Sequence, residues 1–398
     1  MFAMEASQAQ QAVPVKPDVL FLPLRVAILT NFIPPYLLPV LRRLASQVAD
    51  LHIFVSTEME ADRFWKLDWD GLQVTIQKTM TTTVRRRHPI GYSVPGYLHF
   101  SYDTIPLLSR YKPNVVISSQ LGPRTMQSFL YCKMSQDARL ITWADLSEQS
   151  ECGTGKARSA IRRILLQSSD AILVNGSSGA RYVERLGARA KVVFRVPFVR
   201  DMNGLSSLPA TREGAVNRRL LYVGQLIERK GIHLFLAALA RWKHRHPQRS
   251  SECWIVGEGP LHHDLERSAR SQNLDVKFLG FMPFDDIFRI YGSAGIFVFP
   301  TLEDTWGVVV NEAMAAGLPV LGSRFSQAVE ELVEDGVNGW SFRPDQPEEM
   351  DATLERALNT SEAALQQMRV AARSRVAHLT PEFAANRMLE AIAAANQC

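Results

Sequence analysis

An α/β architecture of two doubly wound domains facing a cleft is what this sequence predicts, and three observations point to it. Short apolar runs alternate with helical stretches along most of the chain, a polar segment interrupts the alternation near its middle, and 398 residues suffice for two cores of ordinary size. Such alternation is the pattern of parallel sheets wrapped in helices.

The first half supplies apolar runs at Arg25 to Thr30, Leu51 to Ser56, Asn114 to Ser118, Leu140 to Trp143, Ala171 to Asn175 and Val192 to Val196. Helical stretches at Tyr36 to Val48, Arg124 to Ser135, Ala157 to Gln167 and Ser178 to Leu186 separate many of them. Met202 to Asn217, polar and bearing Gly and Pro, reads as a linker, which divides the chain into residues 1–208 and 209–398. Strands then resume at Arg219 to Val223, Cys253 to Val256, Val276 to Leu279, Ile296 to Phe299 and Pro319 to Leu321. Pro381 to Ala395 is helical by composition and is expected to pack across the junction of the domains.

Composition narrows the function. No apolar run is long enough to predict a transmembrane helix. Residues 1–19, rich in Gln and Ala, lack a basic start followed by an apolar core; they are expected to be a disordered tail rather than a secretory signal. Cys132, Cys152, Cys253 and Cys398 show no metal or redox spacing, so a reducing cytoplasm is expected and a zinc site is not. Residues 1–208 carry 25 Lys and Arg against 16 Asp and Glu, whereas the remainder carries 20 against 24. The basic clusters Arg42-Arg43, Arg85-Arg86-Arg87-His88 and Arg162-Arg163 are candidate contacts for anionic headgroups at the inner face of a membrane or for a phosphorylated acceptor, although scattered surface arginines explain them equally well. No nucleic-acid reader motif is present, and nucleic acid is not an expected partner.

The most informative stretch is Asp304 to Gly317, DTWGVVVNEAMAAG, which follows the strand ending at Pro300 and sets two carboxylates eight positions apart across a strand-to-helix junction. Ligands gather at the carboxyl ends of parallel strands, and the opening amides of a helix from about Val308 to Ala316 lack internal partners. On spacing alone, an N-cap Asp and a solvated helix Glu are the commoner explanation. A second signal is Gly224-Gln-Leu-Ile-Glu-Arg229-Lys230-Gly231 before a helix from Ile232 to Trp242. Cations at a helix start oppose its macrodipole, and a bound diphosphate would reverse the sign; a solvated lysine screened by Glu228 is the plain alternative.

Gly224-Gln-Leu-x-x-x-Lys230-Gly231, Val256-Gly-Glu-Gly-Pro260, Phe278-Leu-Gly280 and Pro300-x-x-x-Asp304-x7-Glu312-Ala-Met-Ala-x-Gly317-x-Pro319-Val320 stand in one order. As a set they resemble the donor domain of retaining glycosyltransferases of family 4, the glycosyl transferases group 1, whose GT-B fold pairs two Rossmann-like domains across a cleft. Asn338-Gly339-Trp340 is similar to the family's late Asn-Gly turn, and Thr30-Asn-Phe-Ile-Pro-Pro-Tyr36 to the first-strand loop of some members.

The resemblance implies roles. Lys230, with backbone at Gly224, would hold the donor diphosphate, and Glu312 the ribose hydroxyls. Asp304 would lie beside the sugar, whose hydroxyls would meet the amides of Thr305, Trp306 and Gly307; Gly280 and Phe281 would border the base. Asp304 and Lys230 are the candidate catalytic residues. Gln225 stands where the family usually has Arg, a loss of charge that Arg229 would offset. Asp304 is one methylene shorter than the family's usual Glu. The first-strand loop lacks the family's Gly-Gly pair, so Asn31 to Pro35 must serve that space differently. Asn31, Pro35 and Asp145 are candidate acceptor-side contacts, although for Asp145 an N-cap or loop residue is the commoner explanation.

The implied reaction moves a hexose-like sugar from a nucleotide donor to a glycan or lipid-linked acceptor, with no cofactor and no metal expected. A noncatalytic nucleotide-sugar-binding scaffold and a nucleotide-sugar epimerase are the alternatives on the same fold.

Overall fold

The structure is a computed structural model, and it describes residues 21–60, 68–209 and 211–397. The expected tail at residues 1–19 lies outside the described residues. In chain order the first domain contains β1 (Leu22–Thr30), β2 (Val48–Val55), β3 (Gln73–Ile76), β4 (Thr79–Arg87), β5 (Ser93–Ser101), β6 (Val115–Ser119), β7 (Arg139–Ala144), β8 (Ala171–Val174) and β9 (Val193–Arg195). The second contains β10 (Leu220–Val223), β11 (Cys253–Val256), β12 (Val276–Gly280), β13 (Ile296–Phe299), β14 (Val320–Ser323) and β15 (Gly339–Phe342).

Both main sheets are parallel. The first runs β3-β2-β1-β6-β7-β8-β9 and the second β12-β11-β10-β13-β14-β15. The strand order therefore reverses between β1 and β6 in one sheet and between β10 and β13 in the other. At such switch points the adjoining loops separate and open a crevice at the strands' carboxyl ends. Asn31 leaves one crevice, and Lys230 and Asp304 border the other.

Burial explains the legible strands. β6, β8, β10, β13 and β14 are buried throughout and consist largely of β-branched and other apolar residues. Residues of both sheets share one apolar core, in which Val26 and Ile141 of the first meet the same cluster as Phe297 and Val320 of the second. Helix Pro381–Asn396 lies against helix Leu38–Ala45 and strands β6 to β9, so the chain's last segment returns to the first domain. Met388 and Ile392 anchor it in the shared core.

Several expectations are refined by the structure. The stretch Tyr36 to Val48 splits: a 3-10 turn occupies Pro35–Leu37, the helix ends at Ala45, and Val48 already begins β2. The linker packs on the second domain: Leu205 is fully buried and the Arg212 guanidinium donates to the carbonyls of Ala294 (3.0 Å) and Ala316 (3.3 Å). Asn338 closes the expected turn and Gly339-Trp340 opens β15; β3 and the antiparallel pair β4 and β5 were not foreseen. Of the basic clusters, Arg42 pairs with Asp68 at 3.2 Å, Arg162 is buried against Glu151 and Tyr182, and His88 is buried and stacked on Tyr92.

Candidate functional site

Lys230 ends a short 3-10 turn after β10, and Gly231 follows it at φ 67° to start helix Ile232–Arg245. A Cβ at Gly231 would stand 2.1 Å from the Pro300 carbonyl oxygen, so glycine lets the loop after β10 lie directly on the loop after β13. Leu302 N donates to Arg229 O at 2.8 Å across the same contact. Close approach of the two loops sets Lys230 Nζ 2.5 Å from Asp304 Oδ2 and 5.4 Å from the centre of the Phe299 ring.

The pair is buried, with 15% and 14% of its side chains exposed. Burial alone would raise the Asp304 carboxyl, but the charges of Lys230 and Arg229, with hydrogen bonds from Lys230 and the Trp306 amide, hold it below the ordinary range. Asp304 Oδ1 accepts from Trp306 N at 3.3 Å. Of the three amides expected at the sugar, that of Trp306 thus faces Asp304 itself, leaving Thr305 and Gly307 at the start of helix Val308–Ala315. The Arg229 guanidinium donates to Glu303 O at 2.9 Å, which holds this cation over the same loop.

Glu312 has a different setting. It is 5% exposed, its Oε2 accepts from Tyr291 Oη at 2.9 Å, and its Oε1 lies 3.5 Å from Arg200 Nε. Burial pushes its carboxyl up, outweighing Arg200 and Tyr291. Arg200 and Tyr291 were missed by sequence reasoning, since neither belongs to a recognisable motif. Gly224 closes β10, and its neighbour Gln225 accepts at its backbone oxygen from Tyr222 Oη at 2.8 Å. Gly280 ends β12 at φ 70°, and Phe281 beyond it is 62% exposed.

Across the crevice, Asp145 follows β7 and accepts from Asn175 Nδ2 at 2.8 Å. Burial raises its carboxyl despite hydrogen bonds from Thr305 and Asn175, and the charge of Asp304 raises it further. Asp145 and Asp304 therefore share one electrostatic neighbourhood. Asn175 Nδ2 also reaches Thr305 O at 3.4 Å, and Gln327 Nε2 binds both Leu146 O and Thr305 O, so the loop carrying Asp304 is tied to the opposite wall. A second tie comes from the turn between β4 and β5, where Tyr92 Oη donates to Glu303 Oε2 at 2.5 Å.

Asn31 belongs to a separate cluster at the other switch point. Its Oδ1 accepts from Arg124 Nη2 at 2.6 Å, and the same nitrogen donates to Ser56 Oγ at 2.6 Å. Arg124, another residue without a sequence signal, is 5% exposed and has no carboxylate partner among the described residues; burial lowers its pKa to about 10. Pro35 opens the 3-10 turn beyond Asn31.

Residues 217–360 match the family model described as glycosyl transferases group 1. The chain is 24% identical to the sulfoquinovosyl transferase of Arabidopsis thaliana over 69% of its own length and 55% of that protein's. It is 34% identical to the amylovoran biosynthesis glycosyltransferase AmsK of Erwinia amylovora over 40% of each chain. The matched stretches thus span about half or less of these curated relatives. Among solved structures, Anabaena HepE in complex with UDP superposes with a TM-score of 0.71 at 15% identity, over 93% of this chain and 99% of that one. The lipopolysaccharide outer core galactosyltransferase WaaB superposes at 0.69 and 14% identity, over 92% and 99%. Joined to the two parallel sheets and the paired loops of the crevice, these matches show a GT-B fold whose second domain matches the group 1 glycosyl transferases over residues 217–360.

Proposed function

We propose that this protein is a retaining glycosyltransferase that moves a sugar from a nucleotide-diphosphate donor to a glycan or lipid-linked acceptor held by the first domain. The observation that carries the reading is the Lys230–Asp304 pair at the switch point between β10 and β13, facing Asp145 of the opposite wall. Breaking the bond between the anomeric carbon and the donor diphosphate leaves negative charge on the departing phosphate. Lys230 stands where it can stabilise that charge, released from Asp304 as the phosphate arrives. Arg229 adds a second cation. Glu312, oriented by Tyr291 and Arg200, accepts the ribose hydroxyls, and Asp304 and the Thr305 and Gly307 amides hold the sugar.

The acceptor oxygen bonds to the anomeric carbon as the phosphate oxygen leaves, and the acceptor proton passes to that departing oxygen on the same face, which preserves configuration. Asp145 orients the acceptor hydroxyl. The charge this step needs is carried by Lys230 and the amides, so we propose it runs without a metal. HepE has been crystallised with UDP and with UDP-glucose, which makes UDP-sugars the first donors to test.

The test is incubation with a panel of UDP-, GDP- and ADP-sugars followed by analysis of the donor. Slow release of nucleoside diphosphate and free sugar, abolished in Glu312→Ala, is expected of a transferase lacking its acceptor. Binding without turnover would instead mark a scaffold, and an altered sugar nucleotide an epimerase.

A further inference from the structure

The antiparallel pair β4 and β5 has its polar side turned inward. Side chains alternate across a strand, so the register Met80↔Phe100, Thr82↔Leu98 and Val84↔Gly96 places these residues on one face. Met80, Val84, Leu98 and Phe100 are 66%, 48%, 45% and 42% exposed. On the other face Ser101 and His99 are buried, and they bond to Ser56 Oγ at 3.0 Å and Thr81 Oγ1 at 2.9 Å. A sheet with one wet face ordinarily presents polar residues there. This ribbon does the reverse.

Its neighbours continue the apolar surface. Helix Pro123–Met134 packs against β5 and against helix Lys156–Gln167. Met126, Leu130 and Met134 recur every fourth residue on the first helix, opposite its buried face, and all three are exposed. Ile161 and Ile164 are exposed on the second.

Charge identifies what such a surface fits. No Asp or Glu occurs between Asp70 and Asp103, within Pro123–Met134 or within Lys156–Gln167. Lys133, Lys156 and Arg163 are exposed on the two helices. A second copy would bring cation against cation with no acid to answer it. The apolar side chains protrude from three separate elements and do not line a single groove, as a docked peptide would require. A bilayer with anionic headgroups meets both demands at once: acyl chains for the apolar side chains and phosphates for the cations.

We infer that the outer face of the β4–β5 ribbon, with helices Pro123–Met134 and Lys156–Gln167, docks on an anionic phospholipid surface. The ribbon's turn carries Tyr92, which bonds Glu303 at the donor wall, so the docked face borders the crevice and a lipid-linked acceptor would enter from the bilayer. This inference stands apart from the transfer reading and gives that reading its source of acceptor.

The test is co-sedimentation of the full chain with vesicles of phosphatidylcholine alone and of phosphatidylcholine with phosphatidylglycerol. Binding is expected only to the second, weakened by salt, and reduced at least about tenfold both in Leu98→Asp with Leu130→Asp and in Lys133→Glu with Arg163→Glu. Because these side chains are exposed, the thermal midpoint and the stabilisation by UDP-sugars should stay as in the parent, which separates loss of docking from loss of donor binding. Parent binding that survives both variants, or absence of parent binding to anionic vesicles, overturns the inference. So does a parent dimer in sedimentation equilibrium that Leu98→Asp converts to monomer, since that would assign the surface to a second copy.

Discussion

The two walls of the crevice handle buried charge in opposite ways. On the wall of the second domain Lys230 meets Asp304 at 2.5 Å and Arg200 meets Glu312 at 3.5 Å, so both of these carboxylates have a cation. On the opposite wall Arg124 is as deeply buried, yet among the described residues it donates to neutral oxygens of Asn31, Ser56 and Ser119 alone. The contrast separates a wall poised to exchange one ionic partner for another from a wall whose cation braces the ends of β1, β2 and β6. Removing a cation should therefore have unequal consequences.

The largest effect is expected at Lys230. Lys230→Met leaves Asp304 buried without its partner, and breaking such a pair costs about 3–5 kcal/mol. Denaturant unfolding should show this loss, and the double variant Lys230→Met with Asp304→Leu should recover most of it. Arg124→Met strands only neutral acceptors and should cost about 1–3 kcal/mol. Equal losses in the two single variants would remove the distinction between the walls. The tie between the walls comes next: Tyr92→Phe deletes one hydrogen bond to the Glu303 carboxylate, expected to cost about 1.5–3 kcal/mol. Hydrogen exchange should rise at residues 88–92 and 301–305 and stay unchanged in β10 and β11.

The same difference explains what could be read from the sequence. Asp304, Glu312 and Lys230 lie on loops whose glycines and apolar runs form an ordered set, and fully buried strands such as β10 and β13 announce themselves as unbroken apolar runs. Arg124 lies 93 residues from Asn31, and Arg200 and Tyr291 reach Glu312 from different domains, so no local spacing could join them. The β4–β5 ribbon was hidden for another reason. Thr79–Arg87 ends in a run of arginines that reads as a solvated charge cluster, and its apolar residues alternate with threonines on a face that is not buried. The packing of the linker was not legible because its buried anchor is a charged residue, Arg212, whose partners are backbone carbonyls far away in sequence.

Acidity should divide Asp304 from Glu312. Asp304 lies below its ordinary value, so the stability it contributes is fully present above the unfolded pKa of about 3.9 and is lost only as pH falls through its lowered folded value. Glu312 lies above its ordinary value, so its folded form holds a proton more tightly, and the stability this contributes is present below about 4.3 and lost as pH rises through the raised value. Donor binding that needs the Glu312 carboxylate should then weaken on acidification while the protein is still folded and Asp304 still ionised. Calorimetric titration with a UDP-sugar across this range should show the step in the parent and none in Glu312→Gln. A step at the same pH in both would assign it to another group.

The smallest effect is expected at Gln225, where the family usually places an arginine beside the lysine. Its structural duty is carried by its backbone, since the carbonyl receives the Tyr222 hydroxyl at 2.8 Å, so a change of side chain leaves that contact in place. Gln225→Arg adds a cation to a wall that already has Lys230 and Arg229, with the new charge only half-buried and open to screening. A partly exposed ionic contact contributes about 0.2–1 kcal/mol, so donor affinity should rise by no more than about fivefold, with a steeper dependence on salt than in the parent. A rise far beyond that would mean that Arg229 does not share the diphosphate. No rise at all would mean that Arg229 and Lys230 already meet its charge, and that this departure from the family pattern is compensated within the same loop.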